Sequence, residues 1–225
     1  MKGLLRKLSP AAVCSYIGGI FLIAIGVNVS KLAGLGISPV ASVPYAVELI
    51  WGIELGKATT LVYVFLILLQ LILLRKLTIL PFFQLVTTVV MSTFTTYTSG
   101  KYLLCWLEEP SGYLHSCIYL AVSIVIIGVG VYFYIRPGFV PLPSEGTAKT
   151  LAQISGGKLP FHNAKILVDC SLVVISVTMT LVMTGKISAV REGTVVTAIL
   201  VGKIVGLCRK AEAKLLCGKE GTVSE

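Results

Sequence analysis

The stretch GLGISPVASVP, residues 34–44, lies between two strongly apolar segments and decides the fold. It holds two prolines, Pro39 and Pro44, among glycine and serine residues that favour turns. The second half of the chain has a similar interruption, GFVPLPSEGTA, at residues 138–148. Each stretch is too broken for an ordinary membrane span and too apolar for an ordinary surface loop. We therefore interpret the chain as two related halves, each with one broken segment.

The composition indicates a membrane protein. The chain has 225 residues, of which 56% are hydrophobic and only 13% are charged, about half the charged share of soluble domains. Four charge-free runs, residues 8–30, 58–74, 77–100 and 110–135, reach or approach the roughly 20 residues of a membrane-spanning helix. A soluble domain of this length would need more polar surface. The sequence therefore predicts a protein embedded in the lipid bilayer.

Periodicity and breaks predict an all-α, polytopic membrane helix bundle with six long spans and two short helices. Thirteen residues of helix reach about 20 Å, short of the ~30 Å hydrocarbon core, so the short helices are expected to be re-entrant or broken. The predicted long spans are 10–31, 57–75, 78–99, 112–135, 162–184 and 190–208, and the short helices are 39–51 and 143–155.

Basic residues concentrate at the ends of the apolar runs, where they orient membrane proteins. With six spans and a cytoplasmic N-terminus, thirteen Lys and Arg residues face inside and five face outside. If the short helices also crossed, the division would be eleven against six, which fits less well. We expect both termini to be cytoplasmic. No basic stripe alternates with aromatic residues, so nucleic-acid binding is not expected.

A shift of 104 residues aligns the two interrupted stretches, placing Gly34 on Gly138 and Pro39 on Pro143, and the segments after them align with shifts of 106 and then 110. Because each half has an odd number of spans, the second half would enter the membrane from the opposite side. The two halves would then form an inverted repeat, as in many secondary transporters. Chance similarity between apolar helices is the alternative. The predicted organisation is one membrane domain, 1–208, with repeats 10–99 and 112–208, followed by a cytoplasmic tail, 209–225.

The two interrupted stretches, residues 34–44 and 138–148, are the candidate binding segments, and we call them the first and second breaks. Ser38 precedes Pro39 as an expected helix N-cap, and Pro143 opens the second short helix. A helix start carries partial positive charge and can bind an anion, a place that Glu145 can also take itself. The alternative is that the breaks are plain capped turns at the membrane surface. Asp169 lies inside a predicted span, one turn after Lys165, and either serves a site or is neutralised locally. The predicted substrate-binding residues are Ser38, Pro39, Ser42, Pro143, Ser144, Glu145, Gly146, Thr147 and Asp169.

No motif predicts catalysis, a metal site or a cofactor. The six cysteines form no CxxC pair, and no GxSxG, HExxH or Walker sequence occurs. Cys105 and Cys117 flank one polar loop and are either a disulfide or two free thiols. Gln70 and Gln84 lie within spans, where amides often join helices rather than bind ligands.

Four segments carry a family resemblance: GLGISPVASVPYAVE, LLQLILLRK, GVGVYFYIRPGFVPLPSEGTAKTLAQISG and KILVDCSLVV. Together they resemble the YczE/YyaS/YitT group of bacterial integral membrane proteins over residues 10–208, although Pro141 is an extra proline. The resemblance implies a multi-pass protein of the bacterial cytoplasmic membrane. It implies no activity or substrate.

Two functions remain open at this point. The chain is either a small secondary transporter of a small molecule or ion, or a membrane scaffold or regulatory partner without cargo. An intramembrane enzyme is disfavoured because no catalytic set is present. The expected partners are the lipid bilayer and, because six spans form a small bundle, a second copy of the chain.

Overall fold

The computed structural model describes residues 9–75, 79–156, 158–186 and 188–220. Those residues form eight helices and no strand. The helices are α1 Pro10–Ala33, α2 Pro39–Trp51, α3 Leu55–Leu74, α4 Ile79–Tyr97, α5 Tyr113–Ile135, α6 Pro143–Ile154, α7 Phe161–Thr184 and α8 Glu192–Glu220.

Four of these helices, α1, α3, α5 and α7, are long and apolar enough to cross a membrane. This confirms the all-helical prediction and is consistent with a membrane protein, although among the described residues four helices, not the predicted six, meet the criterion for a span. The helix bounds follow the predicted segments closely, including the two short helices, which have 13 and 12 residues. The last helix differs, because α8 continues past residue 208 to Glu220. Residues 209–216 contain several strong helix formers and no glycine or proline to end it.

The most extensive helix contact joins α1 to α5, and glycines lie at its centre. Gly19 packs against the backbone of Gly130 and Tyr134, and Gly26 packs against Ile127. A Cβ atom on Gly130 would lie 2.9 Å from the Gly19 carbonyl oxygen. Later positions of α1 meet earlier positions of α5, so the two helices are antiparallel. We call the ends of the bundle the Pro10 end and the Ala33 end, after the first and last residues of α1.

Because α1 and α5 are antiparallel, the breaks that follow them lie at opposite ends of the bundle. Gly34 after α1 and Gly138 after α5 both have φ 66°, in the left-handed region that lets glycine end a helix. The Lys31 Nζ–Glu48 Oε1 ion pair, 2.7 Å long, holds the end of α2 beside the end of α1. Thus α2 enters and leaves at the Ala33 end instead of crossing the bundle.

The helix neighbours in the two halves largely correspond. The two short helices, α2 and α6, both pack on α3 and α7. The last helix of each half packs on the first helix of the same half, α4 on α1 and α8 on α5. One pair breaks the correspondence: α3 and α4 pack side by side, whereas α7 and α8 make no comparable contact within the described ranges. The second half is therefore more open along this seam.

Two adjacent glycines test the α1–α5 contact. Gly19→Ala should destabilise the protein by about 1–3 kcal/mol, because its new methyl group overlaps the α5 backbone. Gly18→Ala is the matched control: no atom lies within 4 Å of its Cβ position, so better helix propensity should leave stability equal or higher. Thermal unfolding of both variants in detergent measures the difference. Equal stabilisation by the two substitutions would contradict the close contact.

Candidate functional site

A cavity of about 630 Å³ lies inside the bundle, within the range of roughly 300–1,000 Å³ typical of ligand sites. Apolar side chains form most of its wall. Every helix contributes to the lining, in chain order through Val27, Pro39, Tyr63, Met91, Val131, Glu145, Asp169 and Val201.

Five of the predicted site residues line this cavity: Ser38, Pro39, Ser144, Glu145 and Asp169. The starts of α2 and α6, which enter the bundle from opposite ends, therefore meet at one space. The structure places Ser38 at the N-cap of α2, as predicted, but its side chain makes no capping hydrogen bond.

The other four predicted residues pack or hydrogen-bond within the bundle instead of lining the cavity. Ser42 is fully buried; its hydroxyl donates to the Pro39 carbonyl at 2.7 Å, and its carbonyl accepts from Ser176 on α7 at 2.9 Å. Ser42 thus joins α2 to α7. The sequence could not show which face of the short helix turns toward the cavity.

Pro143 and Gly146 join α6 to α3, and Gly146 also contacts α4, whereas Thr147 bonds within α6 itself. The Pro143 carbonyl accepts from Gln70 Nε2 at 3.2 Å and from the Thr147 hydroxyl at 2.9 Å. Gly146 packs directly against the amides of Gln70 and Gln84, leaving no room for a side chain. Gln70 therefore joins helices as predicted.

Two tyrosines hold the second break, and sequence reasoning missed both. The Tyr16 hydroxyl donates to the Val140 carbonyl at 2.7 Å. The Tyr134 hydroxyl accepts from the Leu142 N–H and donates to Glu145 Oε2 at 3.0 Å. Irregular backbone inside a membrane needs such partners, because no lipid group can hydrogen-bond to it. A tyrosine in an apolar run gives no distinct sequence signal for this role.

The first break is held by the start of α8. Arg191 Nη1 donates to the Gly34 carbonyl at 2.9 Å, and the Gly193 N–H donates to the Leu35 carbonyl at 2.8 Å. Arg191 also pairs with Glu192 at 3.3 Å. Each break is thus anchored by a segment far away in the chain.

The cavity carries charge at the Pro10 end. Lys165 Nζ and Asp169 Oδ1 lie 2.7 Å apart, which confirms local pairing of Asp169, and both side chains remain about a quarter exposed. Lys149, Arg209 and Glu145 also line the cavity. Three cations face two carboxylates, so the lining has a net charge of +1 with histidine neutral.

A smaller cavity of about 250 Å³ lies at the Ala33 end, lined in part by Asn28, Glu48 and Thr95. Thr95 also lines the central cavity. Asn28 Nδ2 donates to the Thr95 carbonyl at 2.8 Å and to Thr98 Oγ1 at 2.9 Å. We call Asn28, Thr95 and Thr98 the polar wall; it lies where the two cavities adjoin, because Thr95 lines both.

None of the five cysteines whose side chains the structure describes lines either cavity. Cys105 and Cys117 both carry free thiols, so the disulfide alternative does not hold in this structure. Within the described ranges, no cluster of three His, Cys, Asp or Glu side chains could hold a metal ion.

The Tyr134 bridge predicts a specific loss of stability. Tyr134→Phe removes the partner of both the Leu142 N–H and Glu145, which should lower the free energy of unfolding by about 1–3 kcal/mol. Tyr97→Phe is the control, because Tyr97 is 55% exposed. Denaturant titration in mixed micelles compares the two variants. Equal losses in both would show that the bridge contributes nothing specific.

The comparison with known families covers most of the chain. A family model described as Family of unknown function (DUF6198) matches residues 11–210. No curated protein matches the chain significantly, and no solved structure does. The match does not test the resemblance to the YczE/YyaS/YitT group, which stays a prediction. The matched range contains both breaks and every lining residue of the central cavity. Because the match covers most of its length, the chain belongs to DUF6198, a family of unknown function.

Proposed function

We propose that the protein is a small secondary transporter or permease whose substrate, a small molecule or ion, binds in the central cavity. The observation that supports this most directly is the meeting of two half-length helix starts at one cavity from opposite ends of the bundle. Substrate sites at paired discontinuous helices are typical of transporters with inverted repeats.

The proposal includes the inverted repeat and six spans. The matching φ of Gly34 and Gly138, and the corresponding neighbours of α2 and α6, support two halves related by an approximate two-fold axis. The antiparallel α1–α5 pair supports their opposite orientation, because these helices occupy equivalent places in the two halves.

The proposal also includes an orientation. The excess of basic residues in the loops of the Pro10 end supports placing that end in the cytoplasm of a bacterial cell. Lys149, His162 and Arg209 line the cavity there. In this proposal the polar wall closes the cavity toward the Ala33 end. This arrangement corresponds to a transporter open toward the cytoplasm. Transport requires the polar wall to open and the Pro10 end to close in a second state.

Cysteine labelling tests the proposal without a known substrate. In a cysteine-free background, Ser38→Cys and Val131→Cys should react with a membrane-impermeant thiol reagent supplied from the cytoplasmic side, because both positions line the cavity. Alternating access predicts a second, slower reaction of Ser38→Cys from the opposite side. Ser42→Cys and Ser176→Cys are matched controls, because both serines are fully buried outside the cavity.

Two results would contradict the transporter. If Ser38→Cys and Val131→Cys both stayed unlabelled like the controls, the interior would be dry and the scaffold or partner function would be favoured. If Ser38→Cys reacted from one side of the membrane only under all conditions, the protein would bind a ligand from that side without transporting it.

A further inference from the structure

The central cavity is closed on one side of the bundle and open on another. On the closed side α3 and α4 pack against each other, and two of their cavity-lining residues, Tyr63 and Met91, are only 3% and 4% exposed. Between α7 and α8 no comparable contact exists within the described ranges. Ile166 on α7 lines the cavity and is 49% exposed, and Gly202 on α8 lines it and is also exposed. The cavity therefore reaches the outer surface of the bundle along the α7–α8 seam.

This lateral opening faces apolar surroundings. Among the described residues, no heavy atom lies within 4 Å of a Cβ atom built at Gly202, so the space beside α8 is free there. Ala198, one turn earlier on α8, also lines the cavity and is exposed. The outward neighbours Leu167 and Ile199 are apolar and about half exposed. In a protein embedded in a bilayer, an opening with such neighbours faces lipid chains instead of water.

Positive charge lies at one end of the opening. Lys149 and Arg209 both line the cavity at the Pro10 end, and both are exposed. Arg209 follows Gly202 by two helical turns, or about 10 Å along α8. The carboxylates of the lining, Glu145 and Asp169, already have partners in the Tyr134 hydroxyl and the Lys165 ammonium group. The cavity thus combines an apolar opening toward the bilayer with basic groups at the membrane surface.

We propose that the central cavity binds an anionic membrane lipid, with the acidic head group beside Lys149 and Arg209 and an acyl chain in the α7–α8 seam. Basic residues at the membrane surface attract acidic lipid head groups, and the apolar wall removes chain methylenes from water. A water-soluble ion would use neither the lateral opening nor the apolar wall. This inference rests on the proposed function, because it names the substrate class for the same cavity.

Lipid retention measures occupancy of the cavity. Full-length protein in detergent is mixed with equal amounts of phosphatidylglycerol and phosphatidylcholine that carry the same acyl chains, and native mass spectrometry counts the lipids that stay bound. The wild-type protein should retain phosphatidylglycerol in preference, by roughly fivefold for each of the two basic residues. Equal retention of the two lipids would overturn the proposal.

Gly202→Leu tests the seam, and Gly206→Leu is its matched control. Both glycines lie on α8 one turn apart, and neither has a heavy atom within 4 Å of its Cβ position, but only Gly202 lines the cavity. Gly202→Leu should lower phosphatidylglycerol retention by roughly fourfold for each chain methylene that the new side chain displaces. Gly206→Leu should leave retention unchanged. Equal retention by the two variants would contradict an acyl chain in the seam.

Arg209→Gln tests the head-group end, and Lys210→Gln is its control. Both residues are exposed cations at the same depth on α8, but only Arg209 lines the cavity. Arg209→Gln should lower the preference for phosphatidylglycerol by about fivefold and leave phosphatidylcholine retention unchanged. Lys210→Gln should have a smaller effect. An equal loss in both variants would show only general attraction of lipid to a basic surface and would overturn the site.

The remaining outcomes separate the lipid from a protein partner and from the proposed function. If the wild-type protein is a dimer in the same spectra and Gly202→Leu alone makes it a monomer with unchanged lipid retention, a second copy covers the seam and the lipid site is wrong. If retention is unselective while Ser38→Cys reacts from both sides of the membrane, the transporter stands with a water-soluble substrate. If retention is selective while Ser38→Cys reacts from one side only, the lipid site stands without transport.

Discussion

The close crossing of α1 and α5 is the constraint on which the rest of the bundle depends. Gly19, Gly26 and Gly130 let the two backbones approach without intervening side chains. The rings of Tyr16 and Tyr134 lie 5.4 Å apart beside this crossing, and each hydroxyl binds the second break. The antiparallel pairing places one break at each end. A wider crossing would separate the anchors from the segments they hold.

Much of the fold could be predicted because prolines and glycines, which have strong backbone preferences, mark where its helices begin and end. Pro39 and Pro143 begin the short helices, Gly34 is the left-handed C-cap of α1, and Gly138 makes a left-handed turn three residues after α5 ends. The end of α8 had no such marker, and the helix runs beyond the predicted boundary to Glu220. Local backbone chemistry therefore identifies where elements start more reliably than where a polar helix stops.

The site could be predicted only in part, because a sequence shows which residues are polar but not which way a buried helix face turns. Ser38, Glu145 and Asp169 line the cavity, whereas Ser42 and Thr147 bind neighbouring backbone. The groups that hold the breaks come from distant segments and include tyrosines inside apolar runs. Their role depends on the tertiary contacts of α1, α5 and α8, which no local pattern records.

The α1–α5 crossing also constrains how the chain is made. Ala33 ends α1 and Tyr113 begins α5, so the glycine face of α1 emerges 80 residues before its partner starts (113 − 33). At about 5–20 residues per second, that interval is roughly 4–16 s of translation. During it, α1 is inserted without its main contact, and the first break lacks the α8 groups that later satisfy its backbone. The first half must therefore be held by lipid or by the insertion machinery until the second half arrives.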